Sequence, residues 1–178
     1  DDFYYTDSHW RQERITKVAD EIAAQMGAER IGTCEIQDTG RPFYGVYYGQ
    51  AALPHAPERL FYLDNAVIRG LQVYNVETQS DIPVYDLGAA AGRDPYEMFL
   101  GGARSIIKIT NPNAAQERRL IVFRDSFGSS IAPLLAAGYS EITLVDIRYI
   151  SPLSLGKLID FTKADDVLFL YSASVINN

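Results

Sequence analysis

With 178 residues the chain is long enough for one domain with a full hydrophobic core and too short for two of ordinary size. Hydrophobic residues make up 47% and charged residues 22%, a globular composition that excludes a disordered or collagen-like chain, and no apolar run approaches the ~18–20 residues of a membrane-spanning helix. Lys+Arg 16 against Asp+Glu 23 gives a formal net charge of −7, a surface that phosphate backbones repel, so nucleic acid is not an expected partner.

The chain begins Asp1-Asp2-Phe3, with neither an initiator Met nor an apolar leader, and is read as a piece of something longer. After Thr6-Asp7-Ser8, residues of N-cap type, apolar side chains fall at Ile15, Val18, Ala19, Ile22, Ala23 and Met26. That is one stripe of an amphipathic helix, and Gly27 ends it. Cys34 is the lone cysteine, so no internal disulfide forms. Between 31 and 113 the pattern is irregular. The stretches 42–49, 71–76, 82–85 and 106–109 are strand-like, broken by Gly, Pro and Asn-Pro, which predicts a partly antiparallel, β-rich insertion full of tyrosine. Those tyrosines are packing residues with wet hydroxyls or, in a sharper reading, a sugar-binding rim.

From Leu120 the order is regular. The apolar runs Leu120–Phe123, Ile142–Val145 and Val167–Tyr171 alternate with two helical patterns. The first carries Ile131, Leu134 and Leu135 and ends at Gly138. The second opens at Ser151-Pro152 and carries Leu155, Leu158 and Ile159. Short all-apolar strands alternating with helices predict a βαβαβ core over 120–171 and a parallel sheet covered on both faces.

Ligands of such a sheet sit beyond the carboxyl ends of its strands. The first run ends in Arg124-Asp125-Ser126-Phe127-Gly128-Ser129-Ser130 and leads straight into a helix, so Ser126 falls at a helix N-terminus, where unpaired N–H groups favour negative charge. A nucleophile, a simple N-cap and a phosphate cradle all fit this turn; the absence of a nearby lysine and of a glycine-rich fingerprint argues against the cradle. A serine nucleophile needs a base, and histidine is the usual one. Of the two histidines, His55 lies in a proline-bracketed loop, whereas His9 follows Asp7 by two positions, close enough for a carboxylate to orient the imidazole. Asp125 is a rival acid, awkwardly placed beside Ser126. Arg148 and Tyr149, past the second strand, belong to the functional rim as substrate binders or as ion-pair partners of Asp146 or Asp125. Trp10 is a wall of the site or a packed core residue. Two distant histidines and no paired cysteines predict no metal site of His or Cys ligands.

Tyr5-Thr6-Asp7-Ser8-His9-Trp10 resembles the signature of the bacterial DHHW family. The segments Asp94-Pro95-Tyr96-Glu97-Met98-Phe99-Leu100-Gly101-Gly102, Leu120 to Ser130, Val145-Asp146-Ile147-Arg148-Tyr149 and Asp165-Asp166-Val167-Leu168-Phe169-Leu170-Tyr171 resemble it in the same order. That family is similar to the SGNH (GDSL-type) hydrolases and to the SGNH-like domains of alginate O-acetyltransferases. The resemblance implies one SGNH-like domain over 1–178, a three-layer, flavodoxin-like α/β fold with a parallel sheet, circularly permuted because Asp and His precede Ser. It implies a triad of Ser126 as nucleophile, His9 as base and Asp7 as its acid, with no cofactor. The oxyanion would rest on Ser126 and Gly101-Gly102, and Trp10, Arg148 and Tyr149 would meet the substrate. The implied function is a serine esterase or O-acetyltransferase acting on acetyl esters of a bacterial cell-surface carbohydrate, in a chain exported to or anchored at the cell envelope. Two departures stand out. Ser8 replaces the family's first histidine, and Tyr171-Ser172-Ala173-Ser174 lacks the usual oxyanion asparagine, with Asn177 and Asn178 only later. The alternative is a non-catalytic glycan-binding or scaffold module on a degenerate core of this kind.

Overall fold

The computed structural model describes residues 2–51 and 55–177. The helical stripe forms α1 (Thr16–Met26), closed by Gly27 at a left-handed φ of 63°. A two-stranded antiparallel ribbon follows, β1 (Glu35–Phe43) with β2 (Glu58–Asp64), interrupted between them by α2 (Val46–Ala51). Next come α3 (Ala66–Gly70), β3 (Gln72–Asn75), β4 (Ser80–Ile82) and β5 (Ile106–Thr110). The C-terminal half is β6 (Arg119–Arg124), α4 (Phe127–Leu135), β7 (Glu141–Val145), α5 (Pro152–Leu158), β8 (Asp166–Leu170) and α6 (Ala173–Ile176).

Six strands make one sheet in the order β4-β3-β5-β7-β6-β8. The expected βαβαβ core is there, with β6 parallel to both β7 and β8. The sheet as a whole is mixed, however, and not parallel. β5 runs antiparallel to β7, β3 to β5 and β4 to β3. The region 31–113 is therefore only partly an insertion, since three of its strands complete the main sheet. Apolar β5 pairs with buried β7 along five residues, a non-local contact that local pattern cannot announce.

Period-two alternation divides the sheet into two buried faces. Ile107, Ile109, Leu120, Val122, Ile142 and Leu144 pack with Ile15 and Ala19 of the α1 side and with Ile131 and Leu135 of α4. Ile106, Ile121 and Val145 face Leu155 and Ile159 on the α5 side. Coverage of that second face is incomplete, because α5 has only seven residues: Leu158 is exposed, and on β8 so are Val167 and Phe169. Phe169 stacks instead on Phe123 at 5.0 Å. A separate cluster of Tyr4, Phe43, Leu60, Tyr96, Met98 and Phe99 joins the ribbon to the 3-10 turn Pro95–Met98.

The stretch 42–49, expected as a strand, departs from that expectation. β1 stops at Phe43 and Val46 opens a helix. The cause is Gly45, where a β-carbon would lie 2.1 Å from the Thr6 carbonyl oxygen, so the chain turns against the N-terminal loop. β4 likewise ends at Ile82 because Pro83 has no N–H for the ladder.

Candidate active site

The N-terminal loop and the turn after β6 meet in space, although His9 and Ser126 are 117 positions apart. Residues 2–11 close on themselves through Tyr4 N–H to the His9 carbonyl (3.2 Å) and Arg11 N–H to the Asp2 carbonyl (2.7 Å). Glu58, the first residue of β2, caps the tip by accepting from Thr6 N–H (2.8 Å) and Thr6 Oγ1 (2.6 Å). Asp7 and His9 therefore project from a braced loop.

Asp7 Oδ1 accepts from His9 N–H at 2.9 Å and from His9 Nδ1 at 2.5 Å, while Oδ2 accepts from Val46 N–H at 2.9 Å. An ionised carboxylate only accepts, so the proton sits on Nδ1 and Nε2 is left with its lone pair. Nε2 lies 2.7 Å from Ser126 Oγ. Burial pushes the Asp7 carboxyl up, but the hydrogen bonds from His9 and Val46 outweigh it and hold the group below the usual carboxylate range.

Ser126 Oγ is available to His9 because its neighbour does the capping. Asp125 Oδ1 accepts from Phe127 N–H (3.0 Å) and Oδ2 from Ser172 N–H (2.7 Å). Asp125 is thus spent on the turn and does not reach His9. Gly128 allows α4 to press on β6, since a β-carbon there would stand 2.6 Å from Arg124 Cβ. Arg124 itself is fully buried beneath the turn, its Nη1 donating to Ser129 Oγ at 3.1 Å. Burial holds its guanidinium below the ordinary arginine value, against the pull of Asp146.

The imidazole is clamped. Tyr96 stacks on it at 3.9 Å and 12°, and Phe127 leans on it at 5.5 Å. Tyr96 donates to Ser130 Oγ (2.8 Å), which also accepts from Trp10 Nε1 (2.6 Å). Gln12, fully buried, donates to the Ser130 carbonyl (2.7 Å) and accepts from Leu63 N–H (2.7 Å). Sequence reasoning assigned no role to Tyr96, Ser130, Gln12 or Val46. Tyr96 and Ser130 lie in segments that carry the resemblance, but only the meeting of all four in space shows what each does.

A pocket of about 160 Å³ opens on this pair, lined by His9, Ser126, Tyr96, Gly102, Arg148 and Tyr149. Arg148 and Tyr149 both line it, and Arg148 also grips buried Asp146 through Nε (2.9 Å) and Nη2 (2.7 Å). The Asp146 hydrogen bond raises the Arg148 guanidinium above its ordinary value, against burial. Trp10 packs partly buried against the core, its indole N–H goes to Ser130, and it lines a neighbouring cavity of about 430 Å³ with Phe127, Ser8 and Ser172. Gly102 needs correction as an oxyanion donor, because its N–H is already given to the Phe99 carbonyl (3.1 Å). What Gly102 supplies is space for Glu97, whose Cγ would lie 2.8 Å from an added β-carbon. Gly101 precedes it at a left-handed φ of 69°, beside Ile82 and Arg104. His55 is exposed, its Nδ1 lying 2.6 Å from the carbonyl of its neighbour Ala56. Leu53, Pro54 and Asn178 lie outside the described residues. Among the described residues no group of three or more His, Cys, Asp or Glu side chains is placed to hold a metal ion, and no helix is long and apolar enough to cross a membrane.

No family model and no curated protein matches the sequence. Solved structures do. A DHHW family protein from Eubacterium siraeum superposes with a TM-score of 0.70 at 22% identity, over 96% of this chain and 58% of its own. The fold is shared with that DHHW family protein. PatB1 of Bacillus cereus superposes with a TM-score of 0.72 at 23% identity, over 98% of this chain and 63% of its own. Its form with a sulfonyl adduct gives 0.71 and 21%, over 97% and 61%. The chain thus spans about three-fifths of the length of these solved structures.

Proposed function

We propose that the chain is a serine acyl-transfer enzyme of SGNH-like type, an esterase or O-acetyltransferase acting on acetyl esters of a bacterial cell-surface carbohydrate. The observation that carries the reading is the single imidazole joining Asp7 (2.5 Å) to Ser126 (2.7 Å). In the mechanism His9 Nε2 takes the Ser126 proton as Oγ attacks the acetyl carbonyl. Asp7 steadies the imidazolium, and the Ser126 N–H at the start of α4 meets the oxyanion, with Gly101 the second candidate donor. His9 returns its proton to the departing sugar oxygen, leaving acetyl-Ser126. Water or a second sugar hydroxyl, deprotonated by the same nitrogen, then takes the acetyl group, and His9 passes that proton to Ser126 Oγ as the ester bond breaks. No cofactor enters this sequence. Arg148 and Tyr149 serve as the wall that holds the ester. Circular permutation of the SGNH order and an envelope location belong to the same proposal and rest on the resemblance.

The commitment of the Gly102 N–H to Phe99 favours the second reading, a glycan-binding module with a weak oxyanion site. Reagents that acylate or sulfonylate activated serines separate the two. A fluorophosphonate is expected to label the protein at Ser126, and labelling to vanish in Ser126→Ala and His9→Ala but persist in His55→Ala. Release of nitrophenol from its acetate ester should follow the same pattern. An unlabelled parent, or equal turnover in every variant, selects the binding module.

A further inference from the structure

Beside the pocket that holds Ser126 lies a larger cavity of about 690 Å³, and Asp94 and Glu97 line both, so the two form one cleft. Tyr44 and Tyr48 line the larger part, four residues apart on one turn, their rings edge-to-face at 4.7 Å. Tyr44 is 45% exposed. This turn is fastened to the Asp7 loop by three of its backbone N–H groups. Gly45 N–H reaches Thr6 Oγ1 (3.2 Å), Val46 N–H reaches Asp7 Oδ2 (2.9 Å) and Tyr47 N–H reaches the Thr6 carbonyl (2.9 Å). The tyrosine pair is thereby held at a constant distance from the His9–Ser126 couple.

We infer that Tyr44 and Tyr48 form a saccharide subsite, which seats the sugar unit next to the one presented to Ser126, and that it selects a neutral over an anionic chain. This rests on the acyl-transfer reading for the role of the adjoining pocket. Aromatic rings accept the C–H face of a pyranose, and their apolar bodies with polar tips suit a wet rim. Asp94 and Glu97 supply carboxylates where the two parts join, with Arg93 in the larger part and Arg148, already paired with Asp146, in the smaller. Such a lining accepts hydroxyl protons and repels uronate groups.

Chitotetraose, a neutral probe, and tetragalacturonate, an anionic one, are to be titrated calorimetrically against the parent, Ser126→Ala, Tyr44→Ala, Tyr48→Ala and the corresponding Phe variants. Chitotetraose is expected to bind parent and Ser126→Ala equally and to lose roughly tenfold or more in affinity in each Ala variant, with the Phe variants retaining most of it. Tetragalacturonate is expected to bind more weakly than chitotetraose. Equal affinity in the Ala variants, tighter binding of the anion, or no binding to the parent overturns the subsite. Should an Ala variant fail to fold, the ring signals of labelled Tyr44 and Tyr48 in the unaltered protein decide: saturable shifts with chitotetraose support the subsite and unmoved signals overturn it. Fluorophosphonate labelling of Ser126 is independent of all these outcomes, so loss of the subsite and loss of the acyl-transfer reading are separately visible.

Discussion

At the scale of single residues, the site is governed by how Asp7 balances burial against hydrogen bonding. Removing a carboxylate from water favours its neutral form; three donors favour the charged form and win, so the folded-state value lies below the unfolded one. The unfolded chain then binds more protons as pH falls. The stabilisation is complete above the ordinary carboxylate range and disappears as pH drops through the lowered folded-state value. Asp7→Asn is expected to flatten this acid-side loss in urea midpoints measured between neutral and strongly acid pH. The same change offers Nδ1 an amide and no longer dictates the tautomer, so turnover of nitrophenyl acetate should fall by roughly 10³–10⁴. Asp7 was legible from its spacing to His9. Its third partner, Val46, was not, because a backbone N–H leaves no mark on residue type.

At the scale of elements, the decisive departure is α2. Its sequence, Val46-Tyr47-Tyr48-Gly49-Gln50-Ala51, is rich in residues that suit strands, yet it forms a helix. Intrinsic preference spans only ~1 kcal/mol, and three N–H bonds to the Thr6–Asp7 loop outweigh it. Those bonds require Gly45, with the Thr6 carbonyl oxygen 2.1 Å from where a β-carbon would sit. Gly45→Ala should destabilise the fold by about 1–3 kcal/mol and displace Asp7, lowering kcat more than KM for a small ester, as chemical denaturation and steady-state kinetics would record. Where packing agreed with local pattern the expectation held. α1 ends at Gly27, α4 buries Ile131, Leu134 and Leu135, and α5 begins at Pro152, each as its periodicity and caps predict.

At the scale of the molecule, Gln12 shows what binds the layers together. Fully buried, it ties the N-terminal segment to α4 through the Ser130 carbonyl and to β2 through Leu63 N–H, with the Tyr85 hydroxyl at 3.1 Å. Gln12→Leu keeps the volume and orphans buried backbone groups on two elements, which should cost roughly 2–4 kcal/mol in a urea melt. The same network reaches Trp10 and Tyr96 through Ser130. Loss of Gln12 therefore loosens the loop that carries His9.

By itself the sequence determined the parts with short-range causes: the α1 stripe, the three apolar strands, the serine turn after β6 and the Asp-x-His spacing. Capping, periodicity and the energetic need of a serine for a base all act within a few residues, or within the chemistry of one side chain. Only the tertiary structure decided that β5, β3 and β4 extend the sheet antiparallel, that Gly102 is committed to Phe99, and that Trp10 faces a second cavity. It also decided that His9 stands 2.7 Å from a serine 117 positions away. These depend on pairings whose loop-closure cost is repaid only once the whole core assembles. No local pattern encodes them.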